Sequence, residues 1–300
     1  MTNNRLLKCS IGILAHNEEK NIGRLLEALL NQKLNQVEIE EIFIIGDGCT
    51  DQTIPIANSF IKKDKRIKVI DKRERGGKFS VINIFLKKAK NSILVMESGD
   101  TLPKKNTVEN LVKPFSSLEV GMTGCRPIPV DNPKTLMGYT THLLWELHHQ
   151  VSLKNPKMGE MTAFRKIFDK IPPTAVDEAY IEGFIKNEGY NVVYVPKAVV
   201  YNKGPETVSD FLCQRKRIYW GHLDLKERTS YRVSTVGFFK IMFLVLKNLK
   251  FDFRYFLFTT MAIFFEGLAR FLGWWDYKVK KKSYIIWNIA KSTKTIKNEQ

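Results

Sequence analysis

Four short apolar runs, each closed by a polar cluster, constrain the first hundred residues more than any other feature. Residues 10–15 (SIGILA) run into His16-Asn17-Glu18-Glu19, and residues 41–45 (EIFII) into the turn Gly46-Asp47-Gly48. Residues 67–70 (IKVI) lead to a basic glycine loop, 73–78, and residues 92–96 (SILVM) to Glu97-Ser98-Gly99-Asp100. Helical patterns separate them. Ile22, Leu25, Leu26 and Leu29 fall at i, i+3, i+4 and i+7, so one face of that helix is apolar. Asn17 is placed to cap it, with Glu18 and Glu19 in its first turn. A second helix is expected over about 52–62, and a third carries Phe79, Ile82, Phe85, Leu86 and Ala89 along one face. Alternation of this kind predicts βαβ units and a mainly parallel sheet. Ligands of such sheets sit beyond the carboxyl ends of the strands, where all four polar clusters fall.

Residues 120–228 are less regular. VGMTGCRPIPVD reads as strand and loop, 136–153 as a helix, 177–189 as a helix stopped by Gly189, and NVVYVP and AVVYN as two short strands. From 236 the character changes. Residues 236–249 are apolar with Lys240 and Lys247, and 255–275 are mostly Phe, Leu, Met and Ala, interrupted by Glu266 and Arg270. Trp274-Trp275 and Lys278, Lys280, Lys281 and Lys282 follow. About 20 apolar residues suffice to span a bilayer, but two charges inside one are expensive. A pair of amphipathic helices lying in the interface fits better, with aromatics at headgroup depth and lysines on anionic lipid. One true span and a soluble helical hairpin are the other options.

The chain carries a net charge of +17, and its last hundred residues hold 19 Lys/Arg against 8 Asp/Glu. That imbalance suits an anionic partner: a membrane surface, a phosphorylated lipid or a nucleic acid. None of the usual nucleic-acid reader motifs is present, which disfavours the last. An apolar content of 44% excludes a disordered chain. Four scattered cysteines with no CxxC pair read as thiols in a reducing compartment. The apolar run near the N-terminus is too short for a signal peptide.

GDGCTD is not a dinucleotide fingerprint, because Asp51 stands where the third glycine belongs. RERGGKF lacks the spacing and the Ser/Thr of a phosphate-cradling P-loop. A different pattern runs through residues 9–222. ILAHNEEKNIGRLLEALLNQ, IIGDGCTDQT, RGGKFSVINIFLKKAK, LVMESGDTLP, AVDEAYIEGFIKNEGYNVVYVPKAVVYN and QRKRIYWGH occur in order. Together they resemble the motifs of family 2 glycosyltransferases. The resemblance implies an α/β GT-A fold, with a Rossmann-like, mixed but mostly parallel sheet flanked by helices. It divides the chain into a catalytic domain, 1–228, and a basic, aromatic-rich, membrane-associated helical region, 229–300.

The resemblance also implies roles. Ala15, Asn17 and Glu18 would wrap the nucleotide base, and Asp47 would contact the nucleoside. LVMESGDTLP stands at the family's Asp-x-Asp metal motif, so Asp100 would hold Mg2+ or Mn2+ bridging the two phosphates. Ser98 replaces the first acid of that motif, so that either metal affinity would be reduced or Ser98 would act through a water, while Glu97, one place early, would point away. Lys78 and Arg75 would offset phosphate charge. Glu178 would deprotonate the acceptor, oriented by Asp177, giving an inverted product. Gln214, Arg215 and Arg217 would face the diphosphate or the acceptor channel, and Trp220 would stack on a sugar. Arg126 and Glu160 are candidates for sugar choice, whereas His148, His149 and His222 lack metal-ligand spacing and read as structural.

The expected activity is inverting transfer from a nucleotide-diphosphate sugar to a glycan, polyisoprenyl or other lipid acceptor at the cytoplasmic face of the cell membrane, in cell-envelope glycan synthesis. Gly46 replaces the first acid of the usual Asp-Asp pair, and Ile218 the Trp of Gln-x-x-Arg-Trp, which argues against a processive synthase. Gly46 and Ser98 also motivate a competing reading, a catalytically degenerate nucleotide-sugar-binding module tethered at the membrane.

Overall fold

The computed structural model describes residues 6–231, 233, 244–245, 252–286 and 293. Among these, eight strands form one sheet: β1 (Leu7–Ala15), β2 (Val37–Asp47), β3 (Ile67–Lys72), β4 (Ile93–Ser98), β5 (Leu102–Pro103), β6 (Val120–Pro129), β7 (Thr162–Arg165) and β8 (Asn191–Asn202). Their order is β3-β2-β1-β4-β7-β6-β8-β5. β3, β2, β1 and β4 are parallel. β7 runs antiparallel between β4 and β6, β8 lies parallel to β6, and β5 caps the edge antiparallel to β8.

The helices are α1 (Ile22–Leu30), α2 (Thr53–Ile61), α3 (Lys78–Lys88), α4 (Thr107–Val112), α5 (Leu136–Ser152), α6 (Asp177–Asn187), α7 (Val208–Thr229) and α8 (Phe253–Lys278). Strand alternation divides the core in two. Ile42 and Ile44 of β2 join Leu25, Leu26 and Leu29 of α1 on one face of the sheet. Phe43 and Ile45 join Val81, Ile82, Phe85 and Leu86 of α3, with Ile181 and Ile185 of α6, on the other. The apolar face expected for α1 is the one buried.

Three local expectations change. β2 absorbs Gly46 and Asp47, which were expected in a turn, because pairing continues on both sides: Ala15 lies beside Gly46 and Asp47 beside Lys72. The two short strands expected over 191–202 are one strand. Its register on β6 breaks between the Gly124–Tyr194 and Arg126–Val199 pairs, and that irregularity takes up Pro196, which has no N–H for the ladder. Asn17 does not cap α1. It adopts a left-handed backbone (φ 55°), and the helix starts later, after Asn21. Glu18 and Glu19 therefore precede the first turn.

α8 has two dissimilar faces. Thr259, Ala262, Ala269, Gly273 and Asp276 are buried against the domain. Tyr139 Oη of α5 lies 2.7 Å from Thr259 Oγ1, and Lys216 of α7 pairs with Asp276 at 3.2 Å. A Cβ on Gly273 would stand 2.8 Å from the Lys216 carbonyl oxygen, so only glycine lets the two helices approach this closely. The outer face exposes Phe253, Phe256, Leu257, Phe264, Phe271, Trp274 and Trp275. The helix is long and apolar enough to cross a membrane by length and composition, with a mean hydropathy of 1.4. The expected helix over 236–249 lies, apart from Leu244 and Val245, outside the described residues.

Candidate active site

The sheet order reverses between β1 and β4, and the carboxyl ends of those strands open into a cavity of about 770 Å³. Ala15, Glu18, Asp47, Lys78, Ser98, Asp100, Asp177, Glu178, Gln214, Arg215 and Arg217 line it together, as do Arg75 and Glu160. Residues from seven separate stretches thus meet in one place. Asn17 and Trp220 lie outside it. Asn17 ties two loops together instead, its Oδ1 accepting from the Thr50 N–H at 2.8 Å and its amide donating to Thr50 Oγ1 at 3.1 Å. Trp220 is buried with Ala175 and packs edge-on against Tyr277 and Tyr284, so it has no open face for a sugar. Arg126 is likewise outside, 3.9 Å from Glu146.

Asp47 spends both oxygens on the neighbouring loop. Oδ1 accepts from Gly76 N–H (2.7 Å) and Lys72 Nζ (2.9 Å), and Oδ2 from Gly77 N–H (2.8 Å). Burial pushes its carboxyl up, but these donors outweigh burial and hold it below the usual range. Asp47 therefore fixes the glycine loop that leads into α3. The missing acid at Gly46 has a steric cause: a Cβ there would lie 2.7 Å from Ile54 Cδ1 and 3.2 Å from Cys49 Sγ. Glu18 is buried, accepts from Asn21 Nδ2 at 3.0 Å, and covers Gly99, where a Cβ would stand 2.7 Å from Glu18 Cγ.

Lys78 opens α3, and Asp177-Glu178 open α6. Lys78 Nζ sits 2.9 Å from Asp177 Oδ2 and 2.5 Å from Glu178 Oε1. Lys78 is thus a half-buried counter-ion shared by two acids. Burial opposes its charge, but the two carboxylates raise it above its ordinary value. Burial also raises Glu178, yet Lys78 more than compensates and keeps it ionised below the usual range. Asp177 goes the other way, pushed up by burial and by the charge of Glu178. Glu160 accepts from Asn202 Nδ2 at 3.1 Å, and burial with the charges of Asp100 and Glu178 pushes it up to about 7.

Asp100 is half-buried and raised chiefly by burial, with the charge of Lys78 opposing. Alternation sends Glu97 away from the cavity, as expected. It is fully buried, bonded to Thr101, and pushed up to about 8. No group of three or more His, Cys, Asp or Glu that could cage a metal occurs among the described residues. The Asp100 carboxylate at the wall of this cavity suits a hard cation whose remaining ligands are substrate oxygens and water.

The cavity residues not assigned to the site from sequence include Lys157, Glu266, Arg270 and His222. The two charges interrupting the apolar 255–275 segment were the available signal. They are the inward face of α8.

The models of glycosyl transferase family 2 and glycosyl transferase family group 2 match residues 10–179 and 98–279. The chain belongs to glycosyl transferase family 2. It is 24% identical over 280 residues to the probable glycosyltransferase YdaM of Bacillus subtilis (strain 168), a match covering 87% of this chain and 64% of that relative. The glycosyltransferase GlyG of Streptococcus pneumoniae is 26% identical over 102 residues, 34% of this chain and 33% of the relative. The chain thus spans less than two thirds of the length of these relatives. Among solved structures, the mannosyltransferase PcManGT from Pyrobaculum calidifontis, in complex with GDP-Man and Mn2+, superposes with a TM-score of 0.66 at 18% identity, over 90% of this chain and 88% of that one. Glucosyl-3-phosphoglycerate synthase from Mycobacterium tuberculosis, with Mn2+, UDP and its product, gives 0.51 at 15% identity, over 77% and 82%. These likenesses show that the sheet and its flanking helices are the GT-A fold.

Proposed function

We propose that this chain transfers a sugar from a nucleoside diphosphate donor to an acceptor hydroxyl with inversion at the anomeric carbon. The observation that carries this reading is the convergence of Asp100, Lys78 and Glu178 in one cavity at the point where the sheet order reverses. Glu18 and Ala15 line the side of the cavity offered to the nucleoside. Asp47 shapes the glycine loop beside it rather than spending its carboxylate on the ligand. Asp100 would hold Mg2+ or Mn2+ together with donor phosphate oxygens, and that ion supplies charge neutralisation on the leaving diphosphate. The two structural neighbours solved with Mn2+ support the choice of cation.

Glu178 is the base. Lys78 keeps it an anion, and Asp177, sharing that lysine, fixes its position. The acceptor hydroxyl gives its proton to Glu178. Its oxygen bonds the anomeric carbon as the bond from that carbon to the phosphate oxygen breaks, and the diphosphate departs with the electron pair. Arg217, which donates to the Ala175 carbonyl at 3.1 Å and feels both acids, stands beside this exchange.

The acceptor is membrane-proximal in this reading. The exposed aromatic stripe of α8, followed by Lys278, Lys280, Lys281 and Lys282, supports an interfacial attachment at the cytoplasmic face, and the opposite face of the same helix walls the cavity. Residues 1–228 form the transfer domain and 229–300 the membrane-associated region. The test is a thermal-shift panel of nucleoside diphosphates and their sugars with and without Mn2+, paired with a transfer assay on Asp100→Ala. A cation-dependent stabilisation by one nucleotide and loss of transfer in the variant are expected. No stabilisation by any nucleotide would end this account.

A further inference from the structure

The chain that follows α8 turns back over the active site. Lys281 takes a left-handed backbone (φ 50°) and the Lys282 N–H donates to the Asp276 carbonyl oxygen at 2.9 Å, so residues 279–286 leave the helix as a strap. Tyr284 pins it. Its Oη donates to Asp276 Oδ2, and Asp276 also takes the Lys216 ammonium of α7 at 3.2 Å. The Tyr284 ring is buried edge-on against Trp220, with 5.8 Å between centroids, in one apolar cluster with Ala175. Just beyond the pin the strap lies on Gly77. A Cβ there would stand 2.9 Å from the Ile285 carbonyl oxygen and 3.3 Å from Ile286 Cγ1.

These two contacts fall next to the two halves of one ion pair. Gly77 immediately precedes Lys78, and Ala175 stands two residues before Asp177. Lys78 Nζ in turn lies 2.9 Å from Asp177 Oδ2 and 2.5 Å from Glu178 Oε1. We propose that the strap is a clamp on this assembly, with Tyr284 a positioning residue that holds Lys78, and through it Glu178, in register for transfer. The inference rests on the reading of Glu178 as the base and adds to it what keeps that base in place.

Lys78 follows two adjacent glycines, Gly76 and Gly77, whose backbone is permissive, so without support it would inherit the freedom of that loop. Asp47 supplies one restraint, accepting the Gly76 and Gly77 N–H groups at 2.7 and 2.8 Å. The strap supplies a second, meeting Gly77 where a side chain would otherwise stand. A reacting group misplaced by about 1 Å can cost about a hundredfold in rate, so its supports must themselves be locked by packing and hydrogen bonds. Tyr284 has both, a buried ring and a bond to a carboxylate that is paired with another helix. Ser283 and Ile286 on either side of it line the cavity that Lys78 and Glu178 also line.

Tyr284→Ala removes the pin, and Tyr284→Phe removes only its hydrogen bond and keeps the ring. In the full chain with Mn2+, turnover of GDP-mannose and of UDP-glucose is read as release of the nucleoside diphosphate, beside amide hydrogen exchange. Tyr284→Ala should lower kcat by about tenfold or more with donor KM held within about twofold, and Tyr284→Phe should fall between it and the parent. Exchange should quicken at residues 73–79 and 174–178. A clamp that acts through Glu178 has nothing left to act on once that group is replaced. Added to Glu178→Gln, Tyr284→Ala should therefore lower kcat by less than about twofold more. Where Tyr284→Ala does not fold, Tyr284→Phe carries the same readouts. The proposal is overturned if both variants match the parent in kcat, if the loss lies in KM alone, if the losses multiply in the double variant, or if exchange in both loops is unchanged. A Glu178→Gln variant as active as the parent indicts the base reading instead. If the parent turns over neither donor, the donor reading fails and the exchange result decides the clamp.

Discussion

The two ends of the cavity are built from different parts of the fold. The acidic end stands on the sheet. Its carboxylates sit at or just beyond strand ends and at the start of α6; Asp47 is fixed by the Gly76 and Gly77 N–H groups, and Asp177 and Glu178 by Lys78. The other end stands on α7 and α8, where Arg215 and Arg270 share the carboxylate of Glu266. A sheet edge gives the precision that bond-making needs. The helix-built wall depends instead on side chains that pair across two helices.

This contrast can be broken most strongly at the acidic end. Glu178→Gln should lower transfer by about 10²–10⁴-fold while nucleotide affinity survives, measured as initial rates at saturating donor. Near-normal turnover would remove Glu178 as base. Lys78→Met leaves Asp177 and Glu178 facing each other without their shared cation. A loss of about 3 kcal/mol is expected in urea unfolding, and adding Asp177→Asn should recover part of it. No recovery would mean the lysine matters for packing alone.

At the other end, Gly273→Ala drives a Cβ into the Lys216 carbonyl and loosens α8 from α7. The cost should be about 1–3 kcal/mol, seen as a lower melting temperature with unchanged nucleotide affinity. A variant as stable as the parent would show that α8 can shift freely. A further effect concerns pH. His148 and His222 are both pushed down to about 3, burial being the main cause. The unfolded chain takes up their protons from about pH 6.5 and the folded chain does not. Stability should therefore fall as pH drops from about 6.5 toward 3, by up to about 1.4 kcal/mol per pH unit for each histidine. His148→Gln should flatten that slope in urea midpoints measured across the window. An unaltered slope would mean that His148 is protonated in the folded protein too.

The acidic end was legible in the sequence and the helix-built end largely was not. At Asp47, Asp100 and Asp177-Glu178 the apolar run before or the helical pattern after each cluster announces a sheet edge, and a parallel sheet brings its edges together. Lys78 was read as a phosphate partner, but its pairing with two acids one hundred residues away depends on how α3 meets α6. Trp220 failed for a similar reason, since its partners Tyr277 and Tyr284 lie across a contact no local pattern encodes. Glu266 and Arg270 read as a cost to membrane insertion, and no local pattern announces that they meet Arg215 of α7 or each other.

α8 shows Phe264 and Phe271 to the outside and Glu266 and Arg270 to the chamber. Only the thickness of one helix, about 10 Å, separates the two environments. A detergent or additive that coats the outer aromatics is therefore a ligand one helix away from the reacting groups. Kinetics compared between preparations carry the signature of whatever amphiphile was used to keep the protein in solution.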